Sequence, residues 1–176
     1  GGSDKETGDM DNPAGLVEIG ILAYDGAQMA AVLGMTDLLT AAASIAGKGH
    51  DVTAERLIVS HWTRGPDEDA PGRVFSSSSA RQTTHPTVIV IPPGLGAPVP
   101  ETEARDYASW LRSEHARGAG LCSICKGAFL LGETGLLAGR TITTHWTYKE
   151  SFTDRFPDVE VNTDRLIIDD GDILTA

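Results

Sequence analysis

Three short apolar runs, each cut off by a turn signal or bend and followed by a helical stretch, constrain this chain more than any other feature. "LVEIGILAY" (16 to 24) ends at Asp25-Gly26, as a strand buried on both faces does. "TVIVI" (87 to 91) is β-branched and is stopped by Pro92-Pro93-Gly94, since proline has no amide to donate to a ladder. "AGLCSI" (119 to 124) leads into a helix from Lys126. Strands alternating with helices predict an α/β three-layer sandwich of flavodoxin-like type, a mostly parallel sheet with helices on both faces.

The other elements are read the same way. Residues 28 to 46 are rich in Ala, Leu and Met and close at Gly47 and Gly49, which predicts a helix with a glycine stop. Asp37 and several hydroxyls interrupt this stretch, so a buried helix of a soluble domain is expected and a membrane span is not. "ERLIVS" (55 to 60) is a strand, and "RGPDEDAPGRVF" a turn-rich surface excursion. From Glu101 to Arg117, Ala104, Tyr107, Ala108 and Leu111 recur at helical spacing with acids in the first turn, as the helix dipole favours. Short strands near "TIT", "VEV", "RLIID" and "DILT" and a helix around "WTYKESFTDRF" complete the reading.

A length of 176 residues fits one domain, taken as residues 14 to 176, with room for a substantial core. Residues 1 to 13, "GGSDKETGDMDNP", are acidic and nearly free of large apolar side chains, the composition of a disordered leader. No basic segment followed by an apolar one marks a secretion signal, and a cytoplasmic location is expected. The net charge of −11 leaves no footprint for a phosphate backbone. The chain closes on "GDILTA", a strand without a covering helix, so a continuation beyond Ala176 is expected.

Both cysteines fall in "GLCSICKGAFLLGETGLL" (120 to 137). A redox pair places both thiols at a helix start, whereas here Cys122 belongs to the strand. Three extended residues separate the two Cα atoms by roughly 10 Å, beyond the ~7 Å that a disulfide spans. No second Cys/His pair stands at ligand spacing, so neither a metal nor a cofactor is expected. The remaining reading is a strand-to-helix elbow with Cys125 on the bend, made possible by the small residues of "SICKGA". Backbone amides at the helix start would favour a thiolate and supply oxyanion donors. Cys122 is then a small buried hydrophobe.

"CKGAFLLGETGLLAGRTITTHW" (125 to 146), with "LAYDGAQ", "VIVIPPGLG" and "RFPDVEVNTDRLIIDDGDILTA" in order, resembles the ThiJ/PfpI superfamily, whose fold is that of class I glutamine amidotransferases. The likeness is nearest to the amino-terminal domain of AraC-type transcriptional regulators of the GlxA kind. It covers about residues 16 to 176. The resemblance implies a homodimer that senses a small effector, with DNA bound through a carboxy-terminal helix-turn-helix domain beyond Ala176. Catalytic relatives carry a carboxylate on the helix after the first strand, and that position falls on Ala31, which holds no proton. Asp37 is six residues on, about 240° round the helix, and Asp25 is the remaining stand-in. Protease-like relatives place a histidine after the cysteine, where this chain has Lys126, and two glycines where it has Pro93-Gly94.

These considerations name Cys125 as a vestigial nucleophile with His145 as a possible partner, in a pocket drawn from Asp25, Ala31, Gly94, Lys126 and Trp146. Gly94 and Lys126 offer amides for an oxyanion hole. Lys126 either lowers the Cys125 pKa or is solvated. His50, His61, His85 and His115 read as surface positions, and Trp62, Trp110 and Trp146 as core or interface anchors. A sensing domain without catalysis is the expectation. The alternatives are a cysteine-dependent hydrolase, isocyanide hydratase or glyoxalase-like enzyme, and an oxidation sensor at Cys125.

Overall fold

The structure, a computed structural model, describes residues 12, 15–49 and 56–176; the proposed leader (Asn12 apart) and His50 lie outside them. Its core is a seven-stranded sheet in the order β3-β2-β1-β4-β5-β9-β8. The strands are β1 (Val17–Leu22), β2 (Leu57–Thr63), β3 (Gly72–Ser76), β4 (Val88–Ile91), β5 (Gly120–Ser123), β8 (Ile168–Asp169) and β9 (Ile173–Thr175). From β2 through β1, β4 and β5 to β9 the neighbours are parallel, while β3 and β8 close the edges antiparallel. A separate parallel pair joins β6 (Thr141–Ile142) to β7 (Glu160–Val161).

Helices cover both faces, as the flavodoxin-like reading requires. Helix α1 (Met29–Lys48) packs Val32, Met35 and Leu39 on Ile19, Ile21, Val59 and Val90. Helices α2 (Glu101–Ala116) and α3 (Ala128–Glu133) bury Ala104, Tyr107, Leu111, Phe129 and Leu131 with Leu22, Ile89, Ile91 and Leu121 on the other. Helix α4 (Lys149–Arg155) adds Phe152 to that second core. Trp62 and Trp110 meet there with ring centroids 5.4 Å apart.

Two expectations are corrected. The stretch read as a surface excursion contains the edge strand β3, and a buried charge explains its position. Glu18 of β1 is fully buried and receives Arg73 Nη2 of β3 at 2.7 Å and Thr83 Oγ1 at 2.6 Å. Such a carboxylate is tolerated only when paired. Second, α1 is not a buried helix. Only Val32 and Thr36 are buried, while Leu33, Leu38 and Ile45 are 53%, 70% and 71% exposed. It is long and apolar enough to span a bilayer by length and composition, yet it lies against the sheet through one side.

The order of crossovers positions the site. From β1 the chain goes through α1 to β2 on one side, then returns past β1 to β4 on the other. Open α/β sheets bind ligands at such a switch point, outside the carboxyl ends of the strands. The loops after β1, β4 and β5 converge there.

Candidate functional site

At the carboxyl end of β5 the ladder runs one residue on, with the Ile124 amide donating to the Ile91 carbonyl at 3.0 Å. Cys125 then turns with φ +50°, the one positive φ at a non-glycine position among the described residues. A left-handed non-glycine residue costs about 1–2 kcal/mol, and its neighbours enforce it. The Cys125 amide donates to the Ala176 carbonyl at 2.8 Å, and Thr144 Oγ1 donates to the Cys125 carbonyl at 2.6 Å. A single 3-10 turn, Cys125–Gly127, passes into α3. At Gly127 a Cβ would lie 2.4 Å from the Ile91 carbonyl oxygen, so no larger residue lets the elbow sit this close to β4.

A cavity of about 250 Å³ opens beside the bend, lined by Gln28, Pro93–Gly96, Cys125, His145, Thr147 and Tyr148. The loop after β1 is stitched to the loop after β4 by the Gln28 amide on the Pro93 carbonyl at 2.8 Å. Tyr148 closes the far side by donating from its hydroxyl to the Gly96 carbonyl at 2.9 Å. Beneath, Tyr24 is buried and donates to the Pro92 carbonyl at 2.7 Å. Burial first, then the neighbouring Tyr148 and Cys125, hold its phenol above the ordinary range.

Of the predicted site residues, the fold brings Cys125, His145 and Gly94 together on this cavity. Asp25, Ala31, Lys126 and Trp146 lie outside its lining. Asp25 is exposed, and its backbone and carboxylate act on the Tyr107 hydroxyl of α2. Trp146 is 72% exposed and borders a separate open depression with Lys149 and Glu150. Lys126 is neither solvated nor a pocket side chain: it is buried, 7% exposed, with Nζ donating to the Leu95 carbonyl at 2.9 Å. Its stem fills the space over Gly94, where a Cβ would come 2.9 Å from Lys126 Cδ and 2.7 Å from the Gly26 carbonyl oxygen.

The lining residues Gln28, Leu95, Gly96, Thr147 and Tyr148 were not singled out from sequence. The glycine-rich turn after β4 was a usable signal, since it must lie at the ligand-binding end of a parallel sheet. Each of the other described histidines has a side-chain partner. His61 Nε2 is 2.7 Å from Thr36 Oγ1, His85 pairs with buried Glu114 at 3.0 Å, and His115 pairs with Asp172 at 2.8 Å.

The local chemistry is that of a resting thiol. Burial pushes the Cys125 thiol up from its ordinary value, which favours the protonated form. His145 Nδ1 faces the Thr147 amide at 3.2 Å and the Thr147 hydroxyl at 2.7 Å. The Thr147 amide donates to Nδ1, so this nitrogen is engaged within its own turn. The Cys125 amide is already committed to Ala176 and is lost as an oxyanion donor. Cys122 packs beside the α1 core, its thiol pushed up to about 11 by burial, and both cysteines are free. Among the described residues no group of three or more His, Cys, Asp or Glu side chains is placed to hold a metal ion.

The profile of the DJ-1/PfpI family matches residues 73–176, more than half of the chain and all of the elbow. The chain belongs to the DJ-1/PfpI family. Among curated DJ-1/PfpI relatives, isonitrile hydratase of Pseudomonas putida is 38% identical over 63 residues, 36% of this chain and 27% of that protein. The HTH-type transcriptional regulator CdhR of Pseudomonas aeruginosa is 36% identical over 67 residues, 38% of this chain and 20% of that protein. The match thus spans between a fifth and about a quarter of these two proteins. Among solved structures, an AraC family transcriptional regulator from Pseudomonas putida superposes with TM-score 0.62 at 18% identity, covering 91% of this chain and 83% of that one. Drosophila melanogaster DJ-1beta gives 0.62 at 16% identity, covering 92% and 81%. At such identities the superpositions establish the DJ-1/PfpI fold alone.

Proposed function

We propose that this DJ-1/PfpI chain is the sensing and dimerising domain of a cytoplasmic AraC-type transcriptional regulator, and that it carries out no catalysis. A small effector occupies the elbow cavity, and DNA is bound by a helix-turn-helix domain beyond Ala176. The observation that carries this reading is the combination at the elbow: a thiol held protonated by burial, and Ala31 at the position where the resemblance puts the carboxylate. Covalent catalysis by a thiol needs a base. Relatives named as HTH-type transcriptional regulators support the regulatory role. The deciding test is the coding sequence past Ala176: about a hundred further residues with two helix-turn-helix patterns support the reading, and an immediate stop codon overturns it.

A second reading is a cysteine-dependent hydratase or hydrolase, favoured by the identity to isonitrile hydratase and by the strained bend at Cys125. Incubation with isonitriles separates the two. Turnover by the native chain that is absent from Cys125→Ala establishes the enzyme, and equal background in both leaves the sensing domain.

A further inference from the structure

The sensing reading leaves the effector's chemistry open, and the charge beneath the elbow narrows it. Building on that reading, we infer that the cavity beside Cys125 selects a small carboxylate, attracted by the buried ammonium of Lys126. Lys126 is 7% exposed, and a carbonyl, Leu95 O, accepts from its Nζ. Among the described residues no carboxylate stands within ion-pair distance of it. A buried charge is costly unless an opposite charge compensates it.

Lys126 touches two residues of the cavity wall. Leu95, whose carbonyl it holds, and Gly94, against which its stem packs, both line the cavity. No Asp, Glu, Lys or Arg side chain lines that cavity, so no charge in the lining opposes Lys126. The amino end of α1 adds to the same sign: its N-cap Gln28 makes no side-chain capping bond, and no acid occupies the first turn. The tyrosine, threonine and glutamine side chains of the lining supply neutral hydrogen-bonding groups. A ligand carrying one negative charge relieves the uncompensated cation; its amide does not.

Cys125 serves as its own probe. Iodoacetate and iodoacetamide are close in size and alkylate by the same displacement: a carbon–sulfur bond forms, iodide leaves, and the thiol proton goes to solvent. They differ by one negative charge. Since both attack the same thiolate, the ratio of their rates at Cys125 is independent of the thiol pKa. Measured by mass spectrometry at low salt and divided by the same ratio for N-acetylcysteinamide, it is expected to exceed one by about fivefold and to shrink in high salt. Lys126→Gln brings it back towards one. Gln28→Glu lowers it as well, and an acid at a helix start is compatible with folding, so this second variant reports even if the first misfolds. A normalised ratio at or below one in the native chain overturns the inference, as does a ratio that neither variant changes. No effector, DNA or turnover enters the measurement, so the selectivity and the sensing role fail separately.

Discussion

Gly127 and Cys125 divide the work of the elbow between shape and chemistry. The Cβ that Gly127→Ala would add collides with the Ile91 carbonyl, which is backbone and cannot swing aside. Its expected cost is about 2 kcal/mol or more, read by urea denaturation. At position 125 the usual order of small residues inverts. With φ at +50°, Cys125→Gly is expected to be more stable than Cys125→Ala by about 1 kcal/mol, measured by the same denaturation. The thiol predicts a pH effect. Burial raises its pKa, so the thiolate fraction at neutral pH is smaller than in a free cysteine, and the alkylation rate of Cys125 must rise at higher pH than that of a free thiol. An alkylation profile centred below the free-thiol value would contradict this.

Elements were legible where one rule sufficed, and less so where a partner decided. The runs predicted for β1, β4 and β5 and the helix from Glu101 stand within a residue or two of the observed bounds, because two-sided burial and proline stops are local signals. Strand β3 was missed since its pairing is dictated by Glu18, 55 residues away from Arg73. The exposure of α1 was missed because Ala-rich composition does not say which face finds a neighbour. At the elbow, the bend and the separate placement of the two cysteines were legible from spacing, whereas the inward path of Lys126 depends on a glycine distant in sequence, Gly94. The β8–β9 hairpin offers a test at this scale. Asp172 sits between those strands with Arg140 at 2.8 and 2.9 Å and His115 at 2.8 Å. The Arg140 contact first, then His115, hold its carboxyl well below the usual range. A depressed carboxylate stabilises the fold above the unfolded aspartate pKa and ceases to as pH falls through the folded value. Protection of the β9 amides, taken relative to the unfolded chain at the same pH, is therefore expected to fall in acid, and Asp172→Asn should show the lower protection already at neutral pH.

At the scale of the whole molecule, α1 leaves apolar side chains exposed among the described residues. Its described outer face carries Leu33, Leu38 and Ile45 in the open, an arrangement that favours association. Light scattering is expected to find a dimer, and Leu38→Glu a folded monomer; a native monomer would remove α1 from the proposed assembly. Gly34 gives an independent check, since a Cβ there meets nothing within 4 Å. Gly34→Ala should stabilise the single chain by about 1 kcal/mol. The clash built into Gly127 has one more consequence, for how such chains are recognised. The glycine is required by the approach of α3 to β4 whether or not any reaction takes place, so selection for folding alone is enough to keep it. Motif searches that weigh small residues around the bend will therefore gather domains without a reaction together with working enzymes, and on the function proposed here the position that sorts them is Ala31, on another helix.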